Sequence, residues 1–290
     1  MRNTPICGGT TRNVDSSAPK TINSRKMTFF TAESSFETLA VDRSTLGEYG
    51  GLDFISVYAA RLRGGSFLTL DARFSGGERG LEWAYISGDV FPTLDALARE
   101  YELAKNNGYH SFTHGLPMNF GGSLSARYES GEEISFSDNQ TPIFQIELAI
   151  KLFKLFKDAM KGERAAFPEV GELCAVRFYE ELGGGYTRFE LEKRGEELNL
   201  KKVYKFDDPR VSEYNEKASP EKLGRIEALV RDSALPLWDD FPKRSFGMVI
   251  KKSITFAFSD GSEITIQDDR LLPAPLSGVF YKIETELHNG

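Results

Sequence analysis

The sequence predicts an α+β protein made of two tandem repeats of a βββαββα unit, each with a mainly antiparallel sheet and helices packed on one face. Three observations lead to this fold class. Residues 143–160 are largely apolar, and their polar side chains form one narrow stripe at helical spacing, namely Glu147, Lys151, Lys154 and Asp158. Alternating segments joined at glycine pairs precede this helix. The same order recurs in the second half of the chain.

The first predicted repeat covers residues 27–162. Its strands are predicted at residues 54–63, 66–74, 81–87, 122–128 and 133–137. An amphipathic helix is predicted at residues 93–106 and a loop at residues 109–120. Residues 29–41 fit either an edge strand or a loop that packs one or two phenylalanines.

The second predicted repeat covers residues 163–290. Its strands are predicted at residues 172–181, 185–193, 198–206, 253–258 and 263–267. Helices are expected at residues 220–232 and 279–287. The helix at residues 279–287 has a clear polar side, whereas the helix at residues 143–160 has only a narrow polar stripe. We therefore expect residues 143–160 to be the more deeply buried helix and to pack on the second repeat.

The two halves correspond in residue type as well as in order. Residues 54–70 match residues 173–189 without a gap, and the turn at Ser130-Gly131 matches the turn at Asp260-Gly261. Chance alternation would give strands but not this shared order of hairpin, strand, helix, hairpin, proline and helix, so an internal duplication is predicted.

A resemblance supports the same fold. Leu237-Trp238-Asp239-Asp240-Phe241, followed by residues 253–261 and Pro273, resembles a functionally unassigned family of α+β domains from gut Firmicutes. The first half shows the latter part of this pattern at residues 128–131 and 139–142. The resemblance implies a fold for most of each half and implies no activity.

Composition limits the class of protein. The 290 residues carry a formal net charge of -7, which favours solubility and disfavours non-specific attraction to nucleic acid or anionic membranes. Residues 1–26 are poor in apolar side chains and are predicted to be a disordered tail, with Met27 as an alternative start. Neither a secretory signal nor a transmembrane run is recognisable, so we expect a cytoplasmic protein. A disulfide between Cys7 and Cys174 is not expected.

Few residues suggest chemistry. His110 and His114 have the spacing of two metal ligands on a helix, but the sequence between them lacks the glutamate of a zinc hydrolase motif and contains loop signals. The acidic candidates are read as sheet-face charges or as caps and turns; they are Glu78, Glu82, Asp89, Asp138, Asp268 and Asp269. No catalytic residue, metal site or cofactor is predicted.

The remaining motifs favour structural roles. The glycine pairs lack phosphate-loop spacing and are predicted to be hairpin turns; they begin at Gly64, Gly76, Gly121 and Gly183. Trp238 and Phe241 are expected to anchor the core beneath a loop. The second half also has basic residues interleaved with aromatic ones, namely Lys201, Lys202, Lys205, Lys243, Arg244, Lys251, Lys252, Tyr204, Phe206 and Phe246.

The leading hypothesis is therefore a non-enzymatic module that binds a protein partner, because duplicated sheets offer edges on which partners dock. One alternative is an enzyme or small-ligand-binding protein with its site in a cleft between the repeats. The other is a nucleic-acid-associated or DNA-mimicking protein; the acidic composition disfavours nucleic-acid binding and leaves DNA mimicry possible.

Overall fold

The computed structural model describes residues 11–14, 26–37, 47, 49–77, 79–115, 121–182, 184–206, 210–242, 252–267 and 273–289. The fold is mixed α+β, and the chain divides into two compact units, Met1–Ala165 and Ala166–Gly290. Arg164 forms a bridge with Ile86, and the Ala165 N–H donates to the Tyr85 carbonyl at 3.0 Å. These contacts attach residues 163–165 to the first unit, three residues beyond the predicted boundary.

The first unit contains a sheet in which eight strands are described. They are β1 (Thr11–Val14), β2 (Met27–Ser35), β3 (Leu52–Leu62), β4 (Gly65–Phe74), β5 (Arg79–Ile86), β6 (Tyr109–Phe112), β7 (Gly122–Tyr128) and β8 (Glu133–Asp138). Their order across the sheet is β1-β6-β8-β7-β2-β3-β4-β5. Neighbouring strands pair antiparallel except β6 and β8, which pair parallel.

Two helices cover one face of this sheet, α1 (Phe91–Glu100) and α2 (Ile146–Ala159), and a 3-10 helix follows α1 at Leu103–Asn106. Helix α2 packs on β3 and β4. Its polar stripe is exposed as predicted, and its buried side chains are Ile146, Leu148, Ala149, Ile150, Leu152 and Phe156. Burial of this apolar surface is the main source of stability available to the helix.

The second unit contains a sheet in which six strands are described, in the order β12-β11-β10-β9-β13-β14, and all neighbouring pairs are antiparallel. The strands are β9 (Leu173–Leu182), β10 (Gly185–Arg194), β11 (Glu197–Lys205), β12 (Val211–Lys217), β13 (Lys252–Phe258) and β14 (Glu263–Gln267). The helices are α3 (Pro220–Arg231) and α4 (Ala274–His288), with a 3-10 helix at Leu235–Asp240.

Helix α4 buries fewer side chains than α2, as predicted. Among its described side chains only Leu276, Ile283 and Leu287 are buried, whereas Tyr281 is 70% exposed. The core anchors predicted beneath the adjoining loop are also confirmed, because Trp238 and Phe241 are each 1% exposed.

The number of strands ahead of the first helix of each unit was predicted wrongly. Four consecutive strands precede α1 (β2 to β5) and four precede α3 (β9 to β12), rather than three. Strand β2 is central, between β7 and β3, and is neither an edge strand nor a loop. Strand β12 was missed because its sequence, VSEYNEK, is polar and shows no apolar alternation.

Two segments predicted to be irregular contain short strands. Residues 11–14 of the predicted disordered tail form β1, which pairs with β6; residues 1–10 and 15–25 lie outside the described residues. Residues 109–112 of the predicted loop form β6, held between β1 and β8. Four-residue strands without an apolar pattern are ordered by their neighbours, a contribution that the local sequence does not reveal.

Candidate functional site

The outer strand of the six-stranded sheet is the candidate functional site. Strand β12 pairs with β11 on one side, and no described strand pairs with it on the other. An edge strand presents backbone N–H and C=O groups that can pair with another chain. All the side chains of β12 except Ser212 are exposed, so side chains of this strand are accessible to solvent along its length.

Three aromatic rings lie beside this edge and form what we name the aromatic patch: Tyr204, Phe206 and Tyr214. The Tyr204 and Phe206 rings are stacked with their centroids 6.4 Å apart, and the Tyr214 ring meets Tyr204 edge-on at 6.1 Å. Phe206 is 68% exposed and Tyr214 is 57% exposed. Exposed clusters of large aromatic side chains are typical of protein interaction sites.

The glutamate side chains of β12 form ion pairs with lysines of the neighbouring strand β11. Glu213 pairs with Lys201 at 2.8 Å, and Glu216 pairs with Lys202 at 2.9 Å. The hydrogen bond from Lys201 lowers the pKa of Glu213, so this carboxyl is ionised at neutral pH. The charges that often protect an edge strand from other chains are therefore engaged with β11.

The same ion pairs bear on the nucleic-acid hypothesis. Lys201 and Lys202 are neutralised by glutamates, and Lys252 pairs with Glu284 at 2.6 Å. Lys243, Arg244, Phe246 and Lys251 lie outside the described residues. Lys205 lies over the Tyr186 ring, 5.9 Å from its centroid. Three of the four described lysines of this cluster are therefore paired with carboxylates, which disfavours nucleic-acid binding.

The two histidines do not share a helix face. His110 lies in β6, where its Nδ1 is 2.9 Å from Ser137 Oγ, and His114 follows the strand, with its ring edge-on to Phe112 at 5.0 Å. Across the described part of the chain, no cluster of three or more His, Cys, Asp or Glu side chains is arranged to hold a metal.

The acidic candidates have separate structural partners. Glu82 pairs with Lys157 at 2.5 Å. Asp89 accepts two hydrogen bonds of 3.0 Å from Arg61 and one of 3.1 Å from the N–H of Phe91 at the start of α1. Asp138 accepts the Gln140 N–H at 2.8 Å, as a turn residue does. Glu78, Asp268 and Asp269 lie outside the described residues.

One glycine pair was assigned wrongly. Gly64 and Gly77 lie at turns with positive φ, as predicted, but Gly121-Gly122 lies at the start of β7. A Cβ on Gly121 would be 1.7 Å from the Asp138 carbonyl oxygen, and one on Gly122 would be 2.1 Å from the Glu33 carbonyl oxygen. These glycines allow close approach of neighbouring backbones.

The important members of the candidate site were only partly visible in the sequence. Tyr204 and Phe206 were noticed as aromatic residues among lysines, whereas Tyr214 belongs to the strand that was missed. The available signal was Val211 and Tyr214 in a segment otherwise made of polar residues, which is compatible with an edge strand.

Comparison with known proteins assigns no function to this site. No protein-family model, curated protein or solved structure matches the chain. The resemblance to a Firmicutes domain family therefore stays a prediction. Within the described ranges, every helix is too short or too polar to cross a lipid bilayer.

Proposed function

We propose that this protein is a non-enzymatic protein-binding module that captures an extended segment of a partner protein along β12. The observation that carries the proposal is the open edge of β12 beside the aromatic patch. An added strand would form main-chain hydrogen bonds with the edge, while an apolar side chain of the partner packs on the exposed rings.

The energetics favour an aromatic anchor. Aromatic side chains are enriched among the few interface residues that supply most of the binding free energy. Phe206 and Tyr214 are mostly exposed before binding, so a partner would remove a large apolar area from water. Tyr204 already contacts both rings, which limits the conformational entropy lost on binding.

The pairing of charges favours an extended partner segment of low charge. Glu213 and Glu216 are already neutralised by lysines of β11, so a charged partner gains little electrostatic attraction from this edge. We therefore expect the bound segment to alternate apolar and neutral polar residues, because alternate side chains of a strand face the same side.

Peptide display on the full-length chain tests this proposal. A library of random linear peptides selected against the immobilised protein should yield binders with alternating apolar residues. Tyr214→Ala and Phe206→Ala should each weaken the selected peptides about tenfold or more, a loss of about 1.4 kcal/mol or more. Tyr281→Ala is the matched control, since Tyr281 is 70% exposed on α4 and lies outside the aromatic patch.

Two results would count against strand capture. Peptides whose affinity is unaffected by Tyr214→Ala and Phe206→Ala would place binding elsewhere. Association of the chain with itself, detected by sedimentation and abolished by Tyr214→Ala, would identify a second copy as the occupant of β12.

We also propose that the two units descend from one ββββαββα unit. In the first unit β2 to β5 are consecutive neighbours and β7 pairs with β2; in the second β9 to β12 are consecutive neighbours and β13 pairs with β9. This order aligns β2 with β9, one strand away from the correspondence predicted from residue types. An experimental structure in which α1 and α3 cover opposite faces of equivalent sheets would contradict common descent.

A further inference from the structure

A row of polar side chains crosses the first sheet on the face opposite its hydrophobic core. His110 of β6 is in register with Ser137 of β8, Ser137 with Ser123 of β7, and Ser123 with Glu33 of β2. Residues opposite one another on neighbouring strands point to the same face, about 4.8 Å apart. The residues that alternate with these along the strands, such as Leu124, point to the other face and belong to the core. Four strands therefore present one continuous polar row.

This row lines a cleft of about 390 Å³. We name it the serine cleft and define it by the residues that matter for recognition: Glu33, His110, Phe112, Ser123 and Ser137. The volume lies within the range of small-molecule sites. Gly121 and Gly122 also line it, and their missing side chains let the strands approach closely.

The walls of the cleft are held in place by hydrogen bonds. Ser137 Oγ and His110 Nδ1 are 2.9 Å apart. The Asn139 side chain accepts the Thr113 N–H at 2.8 Å and donates to the Thr113 carbonyl at 2.9 Å. A site held in this way loses little conformational entropy when a ligand binds.

The charges of the serine cleft select against anions. The Glu33 carboxyl lines the cleft, and none of the described lining residues is a lysine or arginine. A phosphate or carboxylate ligand would lack a cationic partner and would lie close to this acid. Serine hydroxyls donate and accept hydrogen bonds, so they suit a ligand with several neutral hydroxyl groups.

We propose that the serine cleft binds a neutral carbohydrate. The serine hydroxyls and the Glu33 carboxyl would hydrogen-bond the sugar hydroxyls, and the Phe112 ring, 47% exposed at the cleft, would cover an apolar sugar face. His114 contacts the Phe112 ring at 5.0 Å and helps to fix its position. This site is in the first unit and is independent of the β12 edge proposed above for protein binding.

Saturation-transfer NMR with the full-length chain tests the proposal. The probes are glucose, galactose, mannose and their neutral disaccharides at millimolar concentration, with glucose 6-phosphate and glucosamine as charged counterparts. We expect at least one neutral sugar to bind, and its phosphorylated form to bind more weakly or not at all. Ser123→Ala and Phe112→Ala should each reduce the affinity by about threefold to tenfold.

Controls separate this site from the rest of the protein. Ser130→Ala changes an exposed serine in the β7–β8 turn and should leave sugar affinity unchanged, as should Tyr214→Ala at the β12 edge. The proposal is overturned if no neutral sugar binds, or if Ser123→Ala and Phe112→Ala, shown by circular dichroism to be folded, bind as well as the wild type. Binding of glucosamine alone, lost in Glu33→Gln, would instead identify a site for organic cations.

Discussion

His110 Nδ1 and Ser137 Oγ lie 2.9 Å apart, although 27 residues separate them in the sequence. They are paired in register on β6 and β8, the parallel pair of the first sheet. The contact extends the serine row of β7 and β8 on to β6. It therefore connects a segment that the sequence predicted to be a loop with the polar face of the sheet.

Replacing Ser137 with alanine should remove this contact without unfolding the protein. The hydrogen bond is exposed to water, so its loss should cost no more than about 1 kcal/mol of the free energy of unfolding. Urea denaturation of wild type and Ser137→Ala measures the difference. A loss of several kcal/mol would mean that the serine supports the sheet itself rather than its surface.

The pH dependence of stability should report on Glu33. Glu33 is exposed as a residue, but protein atoms desolvate its carboxyl and raise its pKa above the ordinary value of 4.5. The negative charge of Asp71 raises this pKa further, and the positive charge of Arg73 lowers it. Because the folded-state pKa is the higher one, ionised Glu33 destabilises the fold at neutral pH. The penalty vanishes as the pH falls below the unfolded-state pKa.

Glu33→Gln should accordingly stabilise the protein slightly at pH 7, by about 0.5 kcal/mol or less, and give no gain near pH 3. Denaturation at the two pH values measures this. Asp71→Asn removes one cause of the raised pKa, so Glu33→Gln should gain less in that background. An equal gain at both pH values would show that charge is not the reason.

Two glycines should respond oppositely to alanine. Gly122→Ala places a Cβ 2.1 Å from the Glu33 carbonyl oxygen and must separate β7 from β2, so it should destabilise the protein by about 1–3 kcal/mol. Gly224→Ala is the matched control: Gly224 lies in α3 with open space around its Cβ, and alanine should stabilise the helix by about 1 kcal/mol. Thermal unfolding compares them, and equal melting temperatures would refute the backbone argument.

The sequence revealed those parts of the fold that have a strong local signal. The helix α2 and the hairpin turns at Gly64, Gly131 and Gly261 were predicted because apolar periodicity and turn residues are local properties. The sequence left strand β2 undecided because the neighbouring Phe29 and Phe30 are both apolar, so apolar and polar residues do not alternate there. Both side chains are buried in the structure. Strand β12 was missed because a polar edge strand is specified by its partner.

The candidate sites were less accessible to prediction. Glu33, Ser123 and Ser137 come from three separate strands and become neighbours only through strand pairing. Serine is common on exposed sheet faces and in turns, so no single position drew attention. At the β12 edge, Phe206 and Tyr204 were seen, but their exposure follows from where the sheet ends, which sequence spacing does not report.

Helix α2 provides the sharpest test of the core. Leu152 is fully buried, so Leu152→Asp would leave an unpaired charge in the core and should cost several kcal/mol, enough to unfold the first unit. Phe153 is half-buried against the rings of Tyr49 and Phe74, so Phe153→Asp should cost less because the carboxylate can reach water. Glu147→Ala, on the exposed stripe, should change stability by about 0.5 kcal/mol or less. Thermal melts followed by circular dichroism rank the three variants, and an unchanged melting temperature for Leu152→Asp would contradict the role of α2 as the centre of the core.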